Sequence, residues 1–150
     1  MTATPAENAG ARILIVDDNE LGLLARRQVL SELGHHVEVV SSAEQAIERF
    51  AARSFDLVIT DYRMPGMNGI EVIRRLREHR GDVPVILISG FSQALGLTEA
   101  DTGADVVLQK SANEVAQLIR AVNRLLRAPA PKKRATPQRK SAAAASKRAG

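Results

Sequence analysis

Five short apolar runs recur along the chain: RILIV (12–16), VEVV (37–40), LVIT (57–60), VILIS (85–89) and VVLQ (106–109). Most are apolar at successive positions, the pattern of strands buried on both faces, and such strands belong to parallel sheets covered by helices on each side. Between them lie segments with helical periodicity. Asn19 can cap a helix using Leu21, Ala25, Val29 and Leu33, stopped by Gly34. Ser41 with Glu44 forms a capping box ahead of Ala43, Ala46, Ile47 and Phe50, and Asn68 precedes Ile70, Ile73 and Leu76. Ser111 with Glu114 forms a second box ahead of Val115, Leu118, Ile119, Val122, Leu125 and Leu126. The stretch 92–101 is the weakest helix, interrupted by Gly96. Strand and helix alternating with short connections predict a doubly wound α/β domain, with a five-stranded parallel sheet for which 2-1-3-4-5 is a common order.

Charge divides the chain. Of 21 basic residues, eight lie from Arg127 onward, where there is no acidic residue, so the first 126 residues carry 13 basic and all 17 acidic ones. Residues 128–150, APAPKKRATPQRKSAAAASKRAG, have no aromatic and no large aliphatic residue, too little to offset the entropy of ordering. The expected organisation is a leader over 1–11, a folded domain over 12–127 and a disordered basic tail over 128–150. No run approaches the ~20 apolar residues of a membrane span. The N-terminus carries neither the basic nor the apolar region of a secretory signal. With no cysteine there is no disulfide framework or thiolate metal site, which fits a cytoplasmic protein.

The strand ends carry the chemistry. In a parallel sheet the C-terminal ends share one rim, and ligands bind there where the strand order reverses. The first strand ends at Asp17-Asp18 and the third at Asp61; in order 2-1-3-4-5 these strands are neighbours, so three carboxylates converge. The fourth strand brings Ser89 to the same rim and the fifth brings Lys110. Three bare carboxylates repel and raise one another's pKa, a conflict that a divalent cation removes. All-oxygen ligation with open positions suits Mg²⁺, and Lys110 and Ser89 can then hold phosphoryl oxygens. Any one of these residues alone would read as a turn or cap; together, on four strand ends, they read as phosphoryl-transfer machinery.

ILIVDDNE, DLVITDYRMPGMNG, VILISG and the lysine of VVLQK resemble the signature segments of the receiver domain of bacterial two-component response regulators, over roughly residues 12–126. The resemblance implies a flavodoxin-like receiver fold and a phosphorylation switch rather than a turnover enzyme. It implies that Asp61 accepts a phosphoryl group from a sensor histidine kinase or phosphotransfer protein. Asp18 would bind Mg²⁺ directly, Asp17 would bind or orient its waters, and the carbonyl of Arg63 would complete the protein ligands. Ser89 and Lys110 would contact the phosphoryl group, and output would run through protein contacts, on the fourth and fifth helices, to a downstream target. After Lys110, Ser111 stands where the family usually has proline, often with a cis bond, so a trans bond and a different loop are expected. Val107 stands where the family commonly has Tyr or Phe, so signalling by rotation of that aromatic is not available.

Two other function classes remain open. The tail resembles linker-histone tails, which implies weak, salt-sensitive binding of nucleic acid or another polyanion through 128–150. A Mg²⁺-dependent phosphohydrolase would also use a carboxylate cluster, but would turn over many equivalents of substrate. His35-His36 lies between a helix-stopping glycine and a strand, with no further ligand at useful spacing, and is not read as a metal site. His79 reads as a helix-end residue near the C-terminal dipole.

Overall fold

The computed structural model describes residues 10–90 and 96–127. Its elements run β1 (Arg12–Val16), α1 (Glu20–Glu32), β2 (His36–Val40), α2 (Ala43–Ala52), β3 (Leu57–Asp61), α3 (Gly69–His79), β4 (Val85–Ser89), α4 (Glu99–Thr102), β5 (Val106–Gln109) and α5 (Glu114–Arg127). The strands form one parallel sheet in the order β2-β1-β3-β4-β5, as the alternation predicts. The expectations for the tail at 128–150 and for residues 1–9 of the leader lie outside the described residues. Gly10 and Ala11, placed in that leader, are hydrogen-bonded to Gly34 and His36.

Alternate residues of each central strand feed two cores. Leu14, Val16, Val58, Val85 and Leu87 face α2 and α3, packing on Ala46, Phe50, Val72 and Leu76. Ile13, Ile15, Ile59, Ile86 and Ile88 face α1 and α5, packing on Leu23, Leu30, Leu118 and Val122. The strand residues are fully buried on both faces, which is why their sequence shows no alternation. Among the described residues, no helix is long and apolar enough to cross a membrane.

Local expectations needed several corrections. Asn19 and Asn68 cap α1 and α3 as expected, accepting from the N–H groups of Gly22 and Glu71. The cap of α2 is Ser42 rather than Ser41: its Oγ accepts the Gln45 N–H, and the Gln45 side chain reaches back to the N–H of Ser41. The box at α5 does not form. Ser111 Oγ accepts the N–H of Asn113, while the Glu114 carboxylate is drawn away to Arg26. The buried stripe of α1 is Leu23, Arg26 and Leu30, with Leu21 80% exposed and Ala25 also outside. Docking onto the sheet selected one of two overlapping apolar periodicities. Of the stretch 92–101 expected to form the weak fourth helix, residues 92–95 lie outside the described set, and the described part carries the single turn of α4.

Candidate functional site

Asp17 and Asp18 follow β1, Asp61 ends β3, Ser89 ends β4 and Lys110 follows β5, all at one rim. Backbone bonds continue the sheet past the strand ends and fix these positions. Asp17 N–H donates to the Val40 carbonyl at 3.2 Å, Tyr62 N–H to Ile88 at 2.8 Å and Lys110 N–H to Ser89 at 2.9 Å. One carboxylate oxygen each from Asp17, Asp18 and Asp61 falls within 4.8 Å of the others. Asp17 and Asp61 are buried at 1% and 4% exposure, whereas Asp18 faces solvent. The Lys110 ammonium lies 2.9 Å from Asp61 Oδ1. That contact is one of charge rather than an aligned hydrogen bond, so the buried oxygen keeps unmet accepting capacity. In front of it is a cavity of about 150 Å³ lined by Asp61, Arg63, Ser89, Gly90 and Lys110. All six residues singled out from the sequence therefore lie at this rim.

The turn beyond Asp61 is built to stay out of the way. Gly66 takes a left-handed φ of 80°, and Gly69 opens α3 hard against the end of β3, its N–H donating to the Tyr62 carbonyl at 2.7 Å. A Cβ on Gly69 would stand 2.6 Å from the Asp61 carbonyl oxygen. The chain thus leaves the rim at once, and the Asp61 side chain is left facing the cavity.

Burial pushes the Asp61 carboxyl above the usual range; the Lys110 ammonium pulls it back, and the neighbouring charge of Asp17 pushes with burial. Both Asp17 oxygens are engaged: Oδ1 accepts the Asn19 N–H at 2.9 Å, and Oδ2 accepts from the Arg26 guanidinium at 2.6 Å. Arg26 is itself 6% exposed, and its Nε donates to Glu114 at 2.7 Å. Burial disfavours its charge, yet Glu114 and Asp17 together raise its pKa above the ordinary value. Sequence reasoning missed Arg26 and Glu114. The available signal was an arginine at the spacing of Leu23 and Leu30, on a stripe where only a paired charge can sit.

A sequence model of the response regulator receiver domain matches residues 13–123. The chain belongs to this family. It is 31% identical over 128 residues to the gliding motility regulatory protein of Myxococcus xanthus, covering 83% of this chain and 16% of that protein. The receiver thus spans under a fifth of that relative's length. Among solved structures, it is similar to the response regulator protein TrrA from Thermotoga maritima in complex with Mg²⁺-BeF. The TM-score is 0.70 at 32% identity, covering 77% of this chain and 99% of that one. It is also similar to the receiver domain of a sensor histidine kinase from Pseudomonas aeruginosa with a magnesium ion coordinated in its active-site cleft. There the TM-score is 0.72 at 26% identity, with 80% and 100% of the chains covered.

Within this receiver the acidic cluster offers only oxygen donors, one solvent-facing carboxylate and one buried carboxylate oxygen with capacity to spare, a set that fits a hard divalent cation such as Mg²⁺. Among the described residues, His35 and His36 join no cluster of three such ligands. A larger hollow of about 500 Å³ on the outer face of α1, lined by Leu24, Arg27, Gln28, Ser31 and Glu32, is formed by one helix and lies away from the acids.

Proposed function

We propose that this receiver is a phosphorylation-activated switch that takes a phosphoryl group onto Asp61 from a histidine kinase or phosphotransfer protein and acts through protein contacts in the cytoplasm. The observation that carries the reading is that the buried Asp61 carboxylate, which opens on a small cavity, has the Lys110 ammonium 2.9 Å away and clusters with Asp17 and Asp18 just beyond the neighbouring strand.

Asp18, solvent-facing and unburied, and Asp61 would ligate Mg²⁺ directly, with the carbonyl of Arg63. Asp17, whose oxygens are already held by Asn19 and Arg26, suits orienting metal-bound waters instead. When bound, the ion supplies positive charge to the carboxylates and to the phosphoryl oxygens. An Asp61 carboxylate oxygen attacks phosphorus in line; an acyl phosphate bond forms as the P–N bond of the phosphohistidine breaks, and the imidazole nitrogen keeps the bonding pair. The attack needs Asp61 ionised, and the Lys110 ammonium opposes the effect of burial. Lys110 then stays with one phosphoryl oxygen and the Ser89 hydroxyl donates to another, which is electrostatic stabilisation by groups already in place.

Intact-mass spectrometry after incubation with Mg²⁺ and acetyl phosphate tests the reading. A single phosphoryl adduct is expected on the wild type, absent without metal and absent in Asp61→Asn. A wild type that stays unmodified with acetyl phosphate and with a phosphohistidine donor refutes it, and multiple turnover without an adduct would point to a phosphohydrolase.

A second reading concerns the basic residues 128–150, whose uninterrupted positive charge favours counterion-release binding to nucleic acid or another polyanion. Low-salt DNA affinity unchanged by deleting 128–150 removes it.

A further inference from the structure

We propose that Arg26 is a positioning residue that carries the charge state of the acidic site to the first turn of α5. The inference rests on reading the carboxylate cluster as a divalent-cation site. Asp17, Arg26 and Glu114 form a continuous charged chain, 2.6 Å at one link and 2.7 Å at the other, running from the rim carboxylate through the buried face of α1 to the first residue of α5. Exposure is 1% at Asp17, 6% at Arg26 and 15% at Glu114, so solvent screens the chain little. Gly22, one helical turn before Arg26, leaves the path clear: a Cβ there would stand 3.2 Å from Asp17 Oδ2 and 3.7 Å from the guanidinium.

A bridge that served only to hold α1 against α5 would not need to end on a metal-site carboxylate. Apolar side chains of similar volume fill such positions at no loss of stability, whereas a buried ion pair has its best-attested use where it specifies an arrangement. Here the guanidinium is shared between two carboxylates of different duty. A cation beside Asp17 competes with Arg26 for that carboxylate, and the guanidinium charge is then left to Glu114. Tighter pairing to Glu114 orders the start of α5, four residues after Lys110, which itself faces Asp61. The coupling runs both ways, because a group that cation binding displaces must also weaken cation binding.

Opposite signs follow for changes at Arg26 and at Glu114. Removing the guanidinium leaves the site more negative, and Arg26→Met should bind Mg²⁺ more tightly. Removing the Glu114 charge leaves Arg26 wholly to Asp17, and Glu114→Gln should bind Mg²⁺ more weakly. Each shift is expected at about fivefold or more, the usual scale of coupling between sites. Calorimetric titration of the full chain with MgCl₂ reads both. In the Arg26→Met background, Glu114→Gln should change nothing further, because its effect passes through the guanidinium.

Amide exchange supplies the structural readout. Mg²⁺ should slow exchange in the first turn of α5 in the wild type and leave it unchanged in Arg26→Met. Glu114→Gln, an isosteric change at a partly exposed residue, keeps the test available if Arg26→Met folds poorly. Mg²⁺ binding by the wild type with Glu114→Gln unmoved, or a Glu114→Gln effect that persists without Arg26, overturns the coupling alone. Failure of the wild type to bind Mg²⁺ overturns the cation reading and the coupling with it.

Discussion

Gly69 gives the sharpest test of how the rim is built. A Cβ at this position would lie 2.6 Å from the Asp61 carbonyl oxygen, 2.6 Å from Leu87 Cδ1 and 3.0 Å from Tyr62 Cα. Carbon atoms in ordinary contact stand about 3.5–4.0 Å apart, so each neighbour would have to retreat by up to ~1 Å. None can do so freely: Leu87 is fully buried in the core, and the Asp61–Tyr62 backbone is tied to β4 through the Tyr62 N–H. Overpacking of this kind costs about 1–3 kcal/mol, and contact with backbone puts it near the upper end. Replacing glycine by alanine recovers about 0.4–1 kcal/mol of chain entropy. Gly69→Ala should therefore lose ~2 kcal/mol net, a fall in Tm of about 8 °C for a domain of this size. Gly81→Ala is the control, since its Cβ meets only the Arg77 carbonyl oxygen at 3.8 Å, and surface changes of that kind stay within about 0.5 kcal/mol. Thermal and urea melts followed by far-ultraviolet circular dichroism read both variants. Below the melting range, phosphorylation of Gly69→Ala by acetyl phosphate should also slow, because the strain falls on Asp61 itself and displacements near 1 Å cost up to ~100-fold in reactions that depend on alignment. A Gly69→Ala protein as stable as wild type, or a Gly81→Ala protein equally damaged, refutes the packing argument.

Asn68→Ala removes the side-chain oxygen that accepts the Glu71 N–H at 3.0 Å and should cost ~1 kcal/mol in urea titration, with activity intact in the folded fraction. Because burial raises the Asp61 pKa, the folded state holds that proton more tightly than the unfolded chain, and stability is lost as pH rises through the unfolded value toward the folded one. Metal-free Asp61→Asn should accordingly melt above metal-free wild type at pH 7, with the gap closing toward pH 4. His35 has the opposite linkage: burial first, then the neighbouring His36, lowers its pKa, so its contribution is present above the unfolded pKa near 6.5 and lost as pH falls through that value to the folded one. His35→Gln should flatten the fall in stability below that pH, and an unchanged slope in a series of urea melts would exclude the assignment.

The sheet and the acidic rim were legible for related reasons. Strands covered on both faces must be apolar throughout, and a parallel sheet must bring its strand ends together, so Asp17, Asp18, Asp61, Ser89 and Lys110 could be placed without side-chain detail. Less was legible where two local solutions had similar energy. Ser41 and Ser42 are both competent caps, and the choice fell on the one whose partner, Gln45, could reach back. Around α1, apolar residues at 21, 23, 24, 29, 30 and 33 describe more than one stripe, and only contact with β1 and α5 selects Leu23 and Leu30. Glu114 was assigned to a cap because sequence spacing describes its neighbours along the chain, whereas its partner lies 88 residues away.

The departures from the family pattern bear on how a signal leaves the site. The Lys110–Ser111 bond is trans, and the loop that carries Lys110 is held by other means: the Lys110 N–H on Ser89, the Asn113 N–H on Ser111 Oγ and the Glu114 carboxylate on Arg26. Two of these three restraints lie at or beyond Ser111, where a proline would otherwise have limited the backbone. Val107 packs half-buried against the core shared with α2 and α3, its N–H taken by Glu99, and it offers no ring whose rotation could follow the Ser89 hydroxyl. The other side of the sheet is better connected, because α1 and α5 lie together there and Arg26 joins them to Asp17. A phosphorylation-dependent partner that read α4 and β5 would not depend on Arg26, whereas one that read α1 and α5 would, because Arg26 joins those helices to Asp17. Loss of partner affinity in Arg26→Met, with the phosphoryl adduct still forming on Asp61, distinguishes the second route from the first.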